Sequence, residues 1–300
     1  MEELRKQLKE NRPKISDSSI RTYSSIVSNL YRYMHDDLHK SLDGALEFFE
    51  KNPKKVLEFL KDKEGSKRKT ILAALVVLTG HKENVSEQYR KTMLDDAHKY
   101  NDGEKDQKKT ESQEKNWITQ EELKKIYDEL QKDTKNLLTK ESISPADFQR
   151  LQNYVILSLY TLQPPRRLMD YTEMRLHGEI DKVEDNFIDK SKFVFNKYKT
   201  SKFTGKEEVA INPKLKFILN KWNKHNSADY LLVGTNGKKL SSSQLQQRLN
   251  AILGRQASVN ILRHSFLSDK YKDIDIRDME ATASAMGHSK EQAMLYAKKD

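Results

Sequence analysis

Two arginines that follow a double proline are the first side chains in this 300-residue sequence that could bind a phosphate group. In "LQPPRRLMDY", Arg166 and Arg167 stand where a new helix is expected to begin, and the free backbone N–H groups of a helix N-terminus favour an anion. A guanidinium adds a planar, bidentate donor for phosphate oxygens. The same pattern is also typical of a plain loop with solvated arginines.

A second candidate is the segment "VNILRHSF", in which Asn260 and Arg263 are three residues apart. On a helix these two side chains share a face, while Ile261, Leu262 and Phe266 are expected to face the core. Arg263 could therefore bind a ligand, or it could be a structural arginine that is buried against a carboxylate.

Lysines are concentrated in "NKYKTSKFTGKEEVAI", where alternating β-branched and aromatic residues predict a hairpin. They are Lys197, Lys199, Lys202 and Lys206. A lysine-rich hairpin is usually a solvated edge that discourages aggregation. It could also place one ammonium group against a DNA backbone.

The segment "MGHSKEQAMLYAKKD" brings a histidine and a tyrosine to a fixed spacing near residue 300. Gly287 is expected to end a helix, which places His288 at the corner that follows. Tyr296 comes eight residues later, beside Met294 and Leu295. Taken alone, that position is typical of a core aromatic on an apolar face.

Read in order, these elements resemble the tyrosine recombinase (phage-type integrase) family. In that family the active site contains Arg, Lys, His/Lys-x-x-Arg, His/Trp and Tyr, in this order along the chain. The family's first arginine is followed three residues later by an acidic residue. This spacing selects Arg167, which has Asp170 at that place, over Arg166, which has Met169 and is assigned to DNA contact.

The resemblance implies phosphoryl transfer on DNA. Tyr296 would attack the scissile phosphate to form a 3′-phosphotyrosyl link and release a 5′-hydroxyl. Arg167 and Arg263 would bind the non-bridging oxygens, and His288 would hydrogen-bond the phosphate and assist deprotonation of the tyrosine. Asp170 would orient Arg167. Because the covalent link conserves the energy of the phosphodiester, no metal ion and no other cofactor is implied.

Two positions match the family pattern less directly, namely the general acid and the residue three positions before Arg263. Lys199 would protonate the leaving 5′-oxygen, with Lys197 and Lys202 as alternatives, and Lys197, Lys202 and Lys206 would also contact DNA. Asn260 stands where the family has histidine or lysine. An amide can donate a hydrogen bond to a phosphoryl oxygen but cannot carry a proton.

Double-stranded DNA is therefore the expected partner, bound by a homo-tetramer on two DNA sites. The expected role is integration or excision of a virus or mobile element. A type IB topoisomerase-like nicking-closing enzyme, a catalytically inactive DNA-binding protein with this fold, and a lysine-rich RNA-binding protein are the alternatives.

The elements that must position these residues are mainly helices. Apolar residues at three- and four-residue steps predict a helical, DNA-binding core-binding domain over residues 1–100, with its first helix after Ser16. Residues 101–116 contain no apolar side chain and are predicted to be a charged linker without an element. Residues 117–300 are predicted to form a catalytic domain that is mainly α with a small antiparallel β-sheet.

Composition agrees with a polyanionic partner but does not require one. Lys plus Arg number 55 against 45 Asp plus Glu, a net charge of +10, which also suits a solvated lysine-rich surface. The absence of cysteine excludes disulfides and Cys-based zinc sites. A charged N-terminal segment and apolar runs far shorter than the ~20 residues of a membrane span predict an intracellular protein, cytoplasmic or in a host nucleus, and not secreted.

Overall fold

Helices form most of both halves of the chain. The computed structural model describes residues 1–105, 108–271, 276–289 and 292–293, and of these the side chains of 101–105 and 276–279 are not considered. The chain divides into two units, which we call the N-terminal unit (Met1–Asp106) and the C-terminal unit (Gln107–Asp300). The prediction of a mainly helical protein with one small sheet is confirmed.

The N-terminal unit is built from amphipathic helices around one apolar core. Its helices are α1 (Glu2–Asn11), α2 (Asp17–Met34), α3 (Ala45–Lys51), α4 (Pro53–Phe59), α5 (Gly65–Leu78) and α6 (Glu83–Lys105). Ser16 caps α2 by accepting a hydrogen bond from the Ser19 N–H, as predicted. Helix α1 was not predicted, yet its two leucines, Leu4 and Leu8, are buried in the same core.

The prediction that residues 101–116 have no secondary structure is wrong. Helix α6 continues to Lys105, and α7 (Glu111–Asn116) follows within the same range. Thr110 and Gln113 form a reciprocal capping box at the start of α7. Lys, Glu and Gln are good helix formers, so a capped segment that consists mostly of them forms a helix without an apolar face.

The C-terminal unit contains the remaining helices. They are α8 (Gln120–Thr134), α9 (Pro145–Thr161), α10 (Leu168–Thr172), α11 (Ser201–Thr204), α12 (Pro213–His225), α13 (Ser242–Leu253), α14 (Val259–Lys270) and α15 (Ile276–Ala285), with a 3-10 turn at Leu137–Thr139. The predicted capping box of Thr119 with Glu122 is present at the start of α8. Helix α9 is buried along most of its length and lies at the centre of the core.

A four-stranded sheet in the order β1-β2-β3-β4 completes this unit. Its strands are β1 (Met174–Arg175), β2 (Asn186–Asp189), β3 (Lys192–Phe195) and β4 (Glu207–Ala210). Strands β2, β3 and β4 are antiparallel, as predicted, with Phe193 opposite Val209. Strand β1 pairs parallel to β2, so the sheet is mixed rather than wholly antiparallel.

The sheet fixes the lysine-rich segment relative to the core. Phe193 and Phe195 on β3 are buried against Tyr171 of α10. The chain then leaves the sheet at Asn196, forms the single turn α11, and returns as β4. Because strands β3 and β4 fix both ends of this segment, the lysines between the two strands lie at one edge of the core.

Candidate active site

The C-terminal end of α15 is a Schellman motif centred on Gly287. The Gly287 N–H donates to Ser284 O at 2.9 Å, and the His288 N–H donates to Ala283 O at 2.8 Å. Gly287 has φ +66°, a left-handed conformation that glycine adopts without a Cβ penalty. Gly287 therefore ends α15, as predicted, and the motif fixes the direction in which His288 leaves the helix.

Three arginines bind the three successive carbonyl oxygens at this helix end. The pairs are Arg166 Nη1 with Ala285 O at 3.0 Å, Arg263 Nη2 with Met286 O at 3.0 Å, and Arg167 Nη1 with Gly287 O at 3.3 Å. The last carbonyls of a helix lack intrahelical partners and carry partial negative charge, so guanidinium donors are favourable there. We call Arg166, Arg167 and Arg263 the arginine cluster.

Within the cluster, Arg166 is completely buried and belongs to an ionic network. Its Nε donates to Asp170 Oδ2 at 2.7 Å, and its Nη2 donates to Glu207 Oε2 at 2.8 Å. The guanidinium also lies over the ring of Phe195, 4.1 Å from the ring centroid. Burial alone would lower the pKa of Arg166, but Asp170 and Glu207 raise it above its ordinary value.

Two predictions about this network are wrong. Arg166 was assigned to DNA contact, but its guanidinium is excluded from solvent and already bonded to two carboxylates. Asp170 was expected to orient Arg167, but the hydrogen bond that it accepts comes from Arg166, four residues earlier in the sequence. The spacing Arg167-x-x-Asp170 suggested the wrong pair because Arg167 is the N-cap of α10 and its side chain leaves in another direction.

Arg167 and Arg263 differ from Arg166 in what they bind. Arg167 is half-buried, and the contact that the structure gives it is the Gly287 carbonyl. Arg263 lies on α14 and is buried, with its Nη2 shared between Met286 O and Nε2 of His288. The first arginine, the second arginine and the histidine of the predicted site therefore meet at two consecutive residues, Gly287 and His288.

His288 is a neutral imidazole in this setting. Burial lowers its pKa, and the charges of Arg263 and Arg167 lower it further, to about 3. Arginine can only donate, so the Nε2 that faces Arg263 is the acceptor and the proton lies on Nδ1. Such a ring is a weak base whose lone pair is used by Arg263, so its Nδ1–H, a hydrogen-bond donor, is the group it can offer to a ligand.

Two other polar residues of "VNILRHSF", Asn260 and His264, differ in exposure. Asn260 is exposed on the first turn of α14, and its side chain makes no hydrogen bond to the part of the chain that the structure describes. His264 is buried.

The lysines separate into two classes. Lys197 pairs with Glu173 at 2.9 Å, and Lys206 pairs with Glu208 at 2.7 Å. The hydrogen bond that Lys197 donates to Glu173 raises the pKa of Lys197, which disfavours proton release. Lys199 and Lys202 are exposed and form no ion pair within residues 1–105, 108–271, 276–289 and 292–293.

An open cleft of about 710 Å³ joins the lysine-rich turn to the end of α15. One wall is formed by Thr200, Phe203 and Thr204 of the turn, and the other by Gly287, His288 and Ser289. Glu207, which binds Arg166, also lines the cleft. Lys199 immediately precedes this wall, so a ligand in the cleft can meet the turn and His288 together.

Glu207 was not identified from the sequence. It is 41 residues from Arg166, and the signal in "GKEEVAI" is an ordinary strand with two exposed glutamates.

Tyr296, the predicted nucleophile, lies outside the described residues. Ser289, which precedes it by seven residues in the sequence, accepts a hydrogen bond from the Gln292 N–H at 3.2 Å. In the described ranges no group of three or more metal-ligating side chains occurs, and no helix is long and apolar enough to cross a membrane.

Comparison with known proteins gives matches among solved structures. The crystal structure of XerA recombinase is similar to this chain, with a TM-score of 0.44 and 14% sequence identity over 93% of this chain and 94% of that chain. No protein-family model and no curated protein matches the sequence.

Proposed function

We propose that this protein is a site-specific DNA recombinase that cleaves and rejoins DNA through a 3′-phosphotyrosyl intermediate on Tyr296. The observation that supports this most is the convergence of Arg167, Arg263 and His288 on the end of α15. Their positions in the sequence span 121 residues, yet two hydrogen bonds and one side-chain contact connect them around Gly287 and His288.

The charge of the site suits one phosphodiester. With Asp170 and Glu207 ionised, the three guanidinium groups leave a net charge of +1 beside a cleft that is open to solvent. Arg166 is the member bonded to both carboxylates, so Arg167 and Arg263 are the members proposed to bind the phosphate. Donors that are fixed before the substrate arrives stabilise the transition-state charge without reorganisation.

In the proposed reaction, Tyr296 attacks the phosphorus and the bond to the 5′-oxygen breaks. Arg167 and Arg263 stabilise the non-bridging oxygens, while the neutral His288 donates its one N–H to the phosphate. Lys199 protonates the leaving 5′-oxygen, because Lys197 is engaged by Glu173 and Lys199 adjoins the cleft. Rejoining reverses these steps with a second 5′-hydroxyl, and four protomers on two DNA sites would complete strand exchange.

The test uses a pool of random-sequence duplexes that carry a nick. Cleavage near the nick releases a short fragment and traps the enzyme on DNA, which denaturing gels resolve as a slower band. We expect the adduct with the wild-type chain and none with Tyr296→Phe. Adducts followed by relaxation of supercoiled plasmid, without any exchange between two selected sites, would instead indicate a nicking-closing enzyme.

A catalytically inactive DNA-binding protein is the second candidate, and Asn260 is the observation that favours it. The amide cannot transfer a proton, and it makes no hydrogen bond to the described residues of the arginine cluster. This candidate predicts DNA binding without an adduct. Restoring a histidine with Asn260→His would then be the direct way to ask whether this position alone limits cleavage.

A further inference from the structure

We infer that Phe203 stacks on a DNA base at an opened base step beside the cleaved phosphate. This inference rests on the proposed function, because it takes DNA to be the ligand of the cleft. Phe203 is 84% exposed, the most exposed large apolar side chain in the described part of the chain. It lies on α11 and lines the same cleft as Gly287 and His288.

Hydrogen bonds within the turn that carries Phe203 fix its backbone. The Tyr198 hydroxyl is 2.5 Å from Thr204 Oγ1 and donates to Gly205 O at 2.7 Å, so one side chain binds the far end of α11. Ser201 Oγ donates to Tyr198 O at 3.0 Å, and the Phe203 N–H donates to Thr200 O at 2.9 Å. The exposed ring is therefore presented by a fixed backbone.

The same turn is connected to the arginine cluster. The Tyr198 ring is buried and lies 5.6 Å from the guanidinium carbon of Arg166, measured to the ring centroid. Arg166 in turn holds the carbonyl of Ala285. A ligand bound against Phe203 would therefore lie at a defined place relative to His288, rather than on an independent loop.

The charge around the ring selects the kind of ligand. Lys199 and Lys202 both precede Phe203 in the same turn and are exposed, without ion pairs in the described ranges. An exposed apolar ring on a turn that also carries two such lysines matches a polyanion whose apolar faces are stacked bases. Apolar side chains that enter between base steps partly unstack them, and aromatic rings stack on any base.

Phe217 provides a matched control. It is also an exposed phenylalanine next to a lysine, since Lys221 Nζ lies 5.5 Å from its ring centroid, but it is on α12 and lines a different cavity. Neither Phe203 nor Phe217 is buried enough for its truncation to create a cavity, so both alanine variants are expected to fold.

The experiment measures binding of the full chain to a random-sequence duplex, intact or nicked, by fluorescence anisotropy. We expect Phe203→Ala to weaken binding to the nicked duplex about tenfold with an unchanged salt dependence, and Phe217→Ala to bind as wild type. A tryptophan at each position adds a second readout. Emission of Phe203→Trp is expected to be quenched by the nicked duplex more than by the intact one, and emission of Phe217→Trp is expected not to change.

The outcomes separate this inference from the proposed function. If wild type forms the covalent adduct but Phe203→Ala binds normally and Phe203→Trp is not quenched, the stacking inference is overturned and the recombinase proposal stands. If wild type binds no duplex, both are overturned. If Phe203→Ala changes only self-association in sedimentation, the ring packs against a second copy and the stacking inference is again overturned.

Discussion

Arg166 and Asp170 form an ion pair that is completely buried, with Arg166 Nε 2.7 Å from Asp170 Oδ2. The next residue in sequence, Arg167, is half-buried and bonds the Gly287 carbonyl instead. Two consecutive arginines therefore have different environments, which predicts that their substitution has different consequences.

Arg166→Ala is expected to destabilise the fold, because it leaves Asp170 and Glu207 without their shared cation. Breaking a buried pair in this way costs about 3–5 kcal/mol of unfolding free energy. Arg167→Ala is expected to change stability little and to slow cleavage by about 10²–10³ if it binds the transition state. Urea denaturation and adduct formation measure the two effects, and equal loss of stability in both variants would contradict the division.

Gly287→Ala is expected to disturb the site as well as the backbone. The left-handed φ costs about 1–2 kcal/mol for alanine, and the added Cβ would lie 3.3 Å from Arg166 Nη2. Gly254→Ala is the matched control, since Gly254 has φ +64° and open space around it. Both variants are expected to lose similar stability, but only Gly287→Ala should lower the rate of adduct formation. A wild-type rate of adduct formation in Gly287→Ala would show that the position of His288 does not depend on the turn at Gly287.

The low pKa of His288 predicts a pH dependence of stability. Its folded-state pKa of about 3 lies below the ordinary value of 6.5, so the unfolded chain takes up a proton first as the pH falls. The contribution of His288 to the free energy of unfolding is complete above pH 6.5 and is lost between pH 6.5 and 3. Its slope is at most about 1.4 kcal/mol per pH unit, and solvent screening of the half-buried ring reduces that slope. Wild type should therefore lose stability more steeply than His288→Gln in urea titrations across this range. Parallel curves would show that the imidazole is protonated in the folded state.

The lysine assignment predicts a specific chemical rescue. Lys199→Ala is expected to slow cleavage of an ordinary phosphodiester by about 10²–10⁴, because the leaving 5′-oxygen loses its proton donor. A substrate with sulfur at the 5′-bridging position needs no such donor and should be cleaved by Lys199→Ala at the wild-type rate. Lys197→Ala is the control, since Lys197 is ion-paired with Glu173 and is not expected to be the general acid. Rescue of Lys197→Ala or Lys202→Ala instead would move the general acid to that residue.

Local signals in the sequence were enough to predict several parts of the fold. Ser16 and Thr119 are caps, and Gly287 is a helix terminator, because each acts on backbone groups within a few residues. Helices α1 and α7 were missed because they contain few apolar residues to show a period, so propensity and capping decide their conformation.

The candidate site was harder to predict where its contacts are not local. The pairing of Arg166 with Glu207 joins the segment that precedes α10 to β4, and no local pattern in either segment predicts this contact. The choice between Arg166 and Arg167 as partner of Asp170 depends on where α10 begins, since one residue of shift changes which arginine faces the carboxylate. Order and residue type were enough to select Arg167, Arg263 and His288, which meet at the end of α15, but the hydrogen bonds among them depended on tertiary geometry.

The central claim is that Tyr296 becomes covalently attached to a 3′-phosphate of DNA. Its most direct test is to trap the wild-type chain on the nicked duplex pool, digest protein and DNA, and identify the modified peptide by mass spectrometry. The account predicts that the peptide containing Tyr296 carries the nucleotide through its phenolic oxygen, and that Tyr296→Phe abolishes it. Attachment to any other residue, or no attachment while the wild-type chain binds the duplex, would contradict the claim.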